Sequence, residues 1–384
     1  MSIAVAVQPQ VLRWARERVS LAPAELAAQL GWKTAQRIER WEETGDLTMA
    51  HLERLAQKTH TPIGYLFLPD PPTDNLPIAD FRTVASQGAE KPSPDLLTTI
   101  YTCQQRQDWF REHLARQDEE PLPWVGRTRT TDDPVAVAAE IRTVIGFDFA
   151  ARAALPTWAE ALRAMVTGCE EAGIMVMRNG VVGNNTHRKL NVQEFRGFAL
   201  SDPYAPLVFV NAADAQAAQM FTLAHEVAHL WLGATGVSEW RSQTTRETER
   251  FCNAVAAEVL VPTEAFIAAW SDSADTTGLV NRLARQFKTS SLVILIRAKE
   301  AGRLSETEFE GLYAQELSRL NAVKGGSGGD FYQTQGSRLG KRFARAVTVS
   351  TLEGETSYTE ALELLGLKNS EHLNKLAASL GVVP

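Results

Sequence analysis

The stretch Phe221-Thr-Leu-Ala-His225-Glu226-Val-Ala-His229-Leu-Trp-Leu232 contains two histidines four residues apart, with a glutamate directly after the first. On an α-helix, residues at this spacing lie on one face about one turn apart, so both imidazoles can bind one metal ion. A catalytic zinc takes three protein ligands and leaves a fourth position for water. The pattern therefore predicts a zinc site on a helix, with Glu226 as general base toward that water.

The residues around this motif are apolar and compatible with a helix. Met220, Leu223, Val227 and Leu230 predict that the segment is deeply buried. A buried helix does not normally carry His, Glu and His on adjacent turns without a reason, because buried polar groups need partners. This context favours a metal site over a helix that only packs in the core.

A third ligand is expected on a second helix, residues 246–262, which follows the first motif. Glu249 and Asn253 are four residues apart and share a face of that helix. Glu249 can bind the metal while the amide of Asn253 supports one of the ligands. Glu247 and Glu258 compete for the same role, so the residues alone leave the third ligand open.

The two motifs together resemble those of the ImmA/IrrE metallopeptidases. The second motif of that family typically reads E-x-x-A-N-x-F-A-A-x-L-L-M-P, and here Glu249 to Pro262 follows it with Cys252 at the Ala position and Val255 at the Phe position. Both departures are apolar and bear on packing rather than on metal binding. The resemblance implies His225, His229 and Glu249 as zinc ligands and Glu226 as the base.

Composition limits the class of protein. A chain of 384 residues exceeds what one core usually covers, so several domains are expected. Three scattered cysteines do not form a disulfide framework, which indicates a cytoplasmic protein. Neither a signal peptide nor a membrane-spanning run is apparent, and we expect no membrane partner. A net charge of −7 excludes a globally basic surface but not a local basic patch.

The amino-terminal segment, residues 10–68, predicts short helices separated by a glycine turn at Gly31. It resembles the XRE type of helix-turn-helix domain through Leu26 to Gly31, Trp41 to Gly45 and Leu52 to Ala56. Eight basic and seven acidic residues between 11 and 60 are a poor balance for neutralising phosphates, so DNA binding and a protein-interaction role both stay open. The residues expected on an exposed helix face, available to DNA, are Lys33, Gln36, Arg37 and Arg40.

Short strands are predicted at 173–177, 195–200 and 206–211, ahead of the metal helix. An extended peptide substrate could pair with an edge of this small sheet. The polar stretch 179–193 between them is typical of a surface loop, from which His187 or Arg188 could stabilise an oxyanion. A helix-turn-helix-like pair at 279–304 follows the metal motifs, and a Gly/Ser linker at 325–330 precedes a helical tail.

These observations predict an α+β, mostly helical fold with a zincin-like metallopeptidase core and a small β-sheet. The expected divisions are an XRE-like domain at 1–72, a linker and helical connector at 73–150, the metallopeptidase core at 151–305 and a helical tail at 306–384.

The resemblance implies a zinc-dependent endopeptidase in stress or transcriptional regulation that cleaves a helix-turn-helix repressor. Mn²⁺ could occupy the same ligands. The alternative is a DNA-binding transcriptional regulator, or the antitoxin of a toxin–antitoxin pair, whose zinc core is a sensor or a relic. The expected partner is a protein substrate, a repressor, while DNA binding through the amino-terminal domain and self-association into a homo-oligomer both stay open.

Overall fold

A computed structural model describes residues 4–19, 21–72, 92–237, 245–271, 275–322 and 338–382. Within it the chain divides into two compact units, residues 1–77 with 81–98 and residues 78–80 with 99–384. The chain is mostly helical with small sheets, which confirms the predicted α+β fold class.

The amino-terminal unit is helical, with two short antiparallel strands, β1 and β2, that pair Ala4 with Thr48. Its elements are β1 (Ala4–Ala6), α1 (Pro9–Arg18), α2 (Pro23–Gln29), α3 (Gln36–Thr44), β2 (Asp46–Thr48), α4 (Met49–Lys58) and a 3-10 turn (Ile63–Phe67). Arg16 on α1 and Glu42 on α3 form a buried, bidentate ion pair, with Nε–Oε1 2.6 Å and Nη2–Oε2 2.9 Å. This pair joins the two helices beside an apolar core.

Helix α3 begins later than the sequence suggested, so Lys33 precedes it instead of sharing its face. Gly31 is in the left-handed region (φ +82°), and the amide of Trp32 donates to the carbonyl of Ala27. The Trp32 ring packs edge-on against Trp41, with centroids 5.0 Å apart. These contacts hold the chain between α2 and α3 in a non-helical turn.

The second unit surrounds a four-stranded sheet. The helices before the sheet are α5 (Pro94–Arg116), α6 (Pro134–Val144), α7 (Phe149–Ala153) and α8 (Trp158–Glu171). Helix α5 belongs to this unit from residue 99 onward. The strands are β3 (Met175–Asn179), β4 (Val181–Val182), β5 (Asn185–Lys189), β6 (Gly197–Leu200), β7 (Leu207–Asn211) and β8 (Gly236–Val237). The later helices are α9 (Gln216–Trp231), α10 (Thr245–Leu260), α11 (Thr263–Ala269), α12 (Thr276–Gln286), α13 (Ser291–Glu300), α14 (Glu306–Ala322), α15 (Lys341–Leu352), α16 (Tyr358–Leu365) and α17 (Ser370–Ser379).

The main sheet has the strand order β3-β7-β6-β8, with β3 parallel to β7 and the other pairs antiparallel. Successive side chains on a strand point to opposite faces. Val176, Val208 and Val210 pack with helices α8 to α10 in the main core. Met177 lies on the other face, where its sulfur is 3.9 Å from the sulfur of Cys103 on α5. The sheet therefore separates the metal-motif helices from α5.

One expectation about this region is wrong. The stretch 179–193 contains the hairpin of β4 and β5, in which Val181 pairs with Lys189, and is not simply a loop. The amide groups of Asn179 and Asn185 stabilise it by bonding to backbone groups two to four residues away. Strand β8 pairs with Phe198 and Ala199 of β6, so the outer strands of the main sheet are β8 and β3.

The carboxy-terminal tail packs on the face of the sheet that carries α5. Phe343 on α15 is buried, with its ring 5.8 Å from Trp109 and 6.2 Å from Phe110. Gly340 approaches β3 so closely that a Cβ there would lie 2.7 Å from the carbonyl oxygen of Val176. The predicted linker at 325–330 lies outside the described residues.

In the part of the chain that the structure describes, no single helix is long and apolar enough to cross a membrane. Two consecutive helical segments meet the length and apolarity requirement only when they are counted together. They are Glu247–Leu260 and Thr263–Ala269, and the chain bends by 51° between them.

Candidate metal centre

His225 and His229 lie on α9, which runs through the main core. Apolar residues on both sides of the motif bury the helix, so both imidazoles are nearly inaccessible, at 4% and 3% exposed. Their Nε2 atoms are 3.1 Å apart. The i, i+4 spacing thus brings two ring nitrogens together, as the sequence predicted.

Glu249 reaches these histidines from α10, which packs against α9. Its two carboxylate oxygens lie 3.1 Å from Nε2 of His225 and 3.2 Å from Nε2 of His229. Burial raises the pKa of Glu249, but the two adjacent histidines outweigh it and lower the pKa to about 2. Glu249 is therefore an anion at neutral pH, as a metal ligand must be.

The three side chains suit a tetrahedral metal ion. With metal–nitrogen distances of 2.0–2.1 Å, two ligand atoms of a tetrahedral zinc lie about 3.3 Å apart. The observed separations of 3.1 to 3.2 Å are close to this value. In the described part of the chain, this is the one group of three histidine, cysteine or acidic side chains with ligand atoms close enough to share an ion. A set of two imidazoles and one carboxylate is typical of catalytic zinc.

Asn253 orients one of these ligands. Its Oδ1 lies 3.1 Å from Nδ1 of His225. An amide oxygen only accepts hydrogen bonds, so Nδ1 of His225 carries the proton and Nε2 keeps its lone pair for a metal. For His229, Nδ1 is buried and forms no hydrogen bond with any residue that the structure describes.

Glu226 follows His225 on α9 and is completely buried. Gly197 on β6 is directly beside it. A Cβ built on Gly197 would lie 3.1 Å from Oε1 of Glu226, 2.5 Å from Cγ2 of Thr222 and 2.8 Å from the carbonyl oxygen of Phe209. The sequence motifs did not point to Gly197, although an isolated glycine within a strand signals close approach of another group.

The other two candidate carboxylates do not join the triad. Glu247 is exposed on the first turn of α10. Glu258 is buried, where its Oε2 accepts from the amide of Thr263 at 3.0 Å and its Oε1 lies 3.0 Å from Nη2 of Arg297. Glu258 therefore accepts a hydrogen bond at the start of helix α11 and forms an ion pair with α13, so its role is structural.

The remaining predicted residues lie on surfaces. Lys33, Gln36, Arg37 and Arg40 are all at least partly exposed, and the guanidinium of Arg37 stacks 4.8 Å above the Trp32 ring. The two residues considered for oxyanion stabilisation, His187 and Arg188, lie on β5, with His187 exposed.

Comparison with known families places this geometry in context. Residues 169–299 match the family model described as the IrrE N-terminal-like domain, Peptidase M78. Residues 339–379 match a domain of unknown function, DUF8813. A search of curated proteins gives no match. The part of the chain that contains His225, His229 and Glu249 is therefore similar to metallopeptidase domains of the ImmA/IrrE type.

Proposed function

We propose that the protein is a zinc-dependent endopeptidase that cleaves a helix-turn-helix repressor and thereby acts in transcriptional or stress regulation. The observation that carries the peptidase assignment is the cluster of His225, His229 and Glu249 with Glu226 buried on the same helix as the histidines. The match of residues 169–299 to the M78 peptidases supports it. Zinc is the proposed metal because the ligand set and spacing suit it, and Mn²⁺ can use the same ligands.

In this mechanism, His225, His229 and Glu249 hold the metal. When bound, the ion supplies a Lewis acid that polarises the peptide carbonyl and acidifies water. Asn253 keeps His225 in the tautomer that presents Nε2. Glu226 accepts the proton of the attacking water and passes it to the leaving amine. Gly197 leaves room for the Glu226 carboxylate.

The repressor substrate is the part of the proposal that rests on similarity to the ImmA/IrrE peptidases. Helix α3 of the amino-terminal unit carries Gln36, Arg37 and Arg40 on its accessible surface. This polar surface could bind DNA near a repressor or pair with the repressor's own helical domain. Either contact would bring the substrate to the metal domain.

Metal content tests the ligand assignment. Purified wild-type protein should hold close to one zinc per chain, and Glu249→Ala should lose it, because one of three ligands is removed. Glu247→Ala and Glu258→Ala should keep it, since neither residue belongs to the triad. Elemental analysis of the four proteins measures this directly. Retention of zinc by Glu249→Ala would refute the ligand set.

Activity tests the role of Glu226. The wild type and Glu226→Gln, both zinc-loaded, are incubated with a repressor encoded nearby, and the products are identified by mass spectrometry. We expect cleavage by the wild type only, with unchanged zinc in the variant, because Gln cannot accept the proton. A function that survives Glu226→Gln with zinc bound would favour the DNA-binding regulator instead.

A further inference from the structure

A second polar site lies on the face of the sheet opposite the metal helix. It is a small pocket, partly open to solvent, between α5, the β4–β5 hairpin and the start of the tail. The polar side chains on its walls belong to Thr99, Thr102, Arg106, Asn179, Asn184 and Arg338. Phe209 on β7 forms part of its apolar wall. Neither the peptidase motifs nor the proposed function uses any of these residues.

Arg106 is the most unusual of them, because it is a buried cation without a carboxylate partner among the residues that the structure describes. It is 9% exposed. Its Nε donates to the carbonyl of Leu364 at 2.9 Å, and its Nη1 lies 3.6 Å from the sulfur of Met177. Burial lowers the pKa of Arg106.

Other buried arginines show how this chain usually stabilises such a charge. Arg16 is paired with Glu42, and Arg297 with Glu258. Arg152 donates instead to the carbonyl of Leu260 and lies over two phenylalanine rings, and it does not line the pocket. An uncompensated buried charge is costly. Arg106 differs from these three because it lines an open pocket.

A second guanidinium reaches the same pocket from the tail. Nη1 of Arg338 donates to Oδ1 of Asn184 at 3.0 Å, and Nδ2 of Asn184 donates to the carbonyl of Gly366 at 2.8 Å. These contacts hold Arg338 beside the hairpin through one of its N–H groups, and among the described residues no carboxylate pairs with it. Arginine binds carboxylate and phosphate oxygens through paired, charge-assisted hydrogen bonds.

We propose that this pocket binds a compact oxyanion, the phosphate or carboxylate group of a small molecule, between Arg106 and Arg338. Thr99, Thr102 and Asn179 lie on the same walls and make the surroundings of the bound anion polar. Because α5, the hairpin and the tail all contribute, a bound anion would join these three segments. The site is separate from the metal centre and does not depend on peptidase activity.

Calorimetric titration of the zinc-loaded full chain with inorganic phosphate, and separately with acetate at the same ionic strength, tests the proposal. We expect one saturable site per chain for at least one of the two anions. The anion that binds with the lower Kd shows whether the site prefers a phosphate or a carboxylate. Arg338→Gln should weaken that binding at least about tenfold, because a charged donor is lost.

Controls separate this site from others. Arg345→Gln removes a tail arginine outside the pocket and should leave binding unchanged. Glu249→Ala should also bind normally, which excludes an anion on the metal. Arg106→Met, checked for folding by circular dichroism, should abolish binding. Absence of saturable binding by both anions, or binding that Arg338→Gln leaves intact, would overturn the proposal.

Discussion

Gly197 illustrates how a residue without a side chain can shape the proposed active site. It lies on β6, paired with Val210 of β7, and faces helix α9 where Thr222 and Glu226 are buried. Any Cβ would contact both side chains and the Phe209 carbonyl below ordinary van der Waals distance. We therefore regard Gly197 as a positioning residue for Glu226.

Gly197→Ala should destabilise the protein by about 1–3 kcal/mol, because overpacking forces neighbours to move. Peptidase activity should fall at least about tenfold in the fraction that is still folded, since Glu226 is displaced. Denaturant unfolding and initial-rate measurements check the two effects.

Gly311→Ala is the matched control for this substitution. Gly311 lies in α14, and apart from its chain neighbours and the backbone of its own helix no atom of the described residues lies within 4 Å of the position that its Cβ would take. Alanine should therefore stabilise that helix slightly, by about 0.5–1 kcal/mol. If Gly197→Ala behaved like Gly311→Ala, the proposed positioning role would be wrong.

At the scale of elements, helix α10 carries two carboxylates with different tasks. Glu249 near its start joins the histidines of α9, while Glu258 near its end pairs with Arg297 of α13. At 3.6 residues per turn, they lie about two and a half turns apart, and so on opposite sides of the helix. One helix thus connects the metal centre to the helical pair that follows it.

Arg297→Met should lower the free energy of unfolding by about 3–5 kcal/mol, because Glu258 is left as an unpaired buried charge. Adding Glu258→Gln should recover part of this loss by removing the charge. Denaturant titration of the single and double variants measures both effects.

Lys299→Met on the same helix provides the comparison. It breaks the exposed pair of Lys299 with Glu306, which water screens, so the change in stability should be much smaller. Equal losses from Arg297→Met and Lys299→Met would contradict a buried structural pair.

In the second unit as a whole, the carboxy-terminal tail packs into the folded core and is not merely an appended module. Phe343 is fully buried against Trp109 and Phe110 of α5. Phe343→Ala should cost about 3–5 kcal/mol, as expected for truncating a buried aromatic ring. Tyr358→Ala, at an exposed tail position, should change stability by no more than about 0.5 kcal/mol. Equilibrium unfolding, followed by tryptophan fluorescence, measures the free energy of unfolding of both variants. Equal values for Phe343→Ala and Tyr358→Ala would show that the tail is dispensable for the fold.

The three thiols report on the integrity of the same core. Cys103, Cys169 and Cys252 are buried. Burial raises the pKa of Cys103 to about 12 and raises the pKa of Cys169 and Cys252 as well. Because the thiolate is the reactive form, a raised pKa leaves little of it at a pH of about 8. A disulfide reagent should therefore modify none of the three within minutes in native protein and all three in denaturant. Rapid modification of a native thiol would show that its surroundings open.

Local spacing and periodicity were enough to predict the helix of the metal motif, its histidine pair with Glu226, and the mostly helical fold class. It also indicated Glu249 with Asn253, since one helix face carries both. The folded chain was needed to see that Glu258 pairs with Arg297, that residues 181–189 form a hairpin, and that Gly197 lies beside Glu226. The same holds for the pocket between Arg106 and Arg338. These features join segments far apart in the chain, and their contacts arise from how helices and strands pack, which local pattern does not encode.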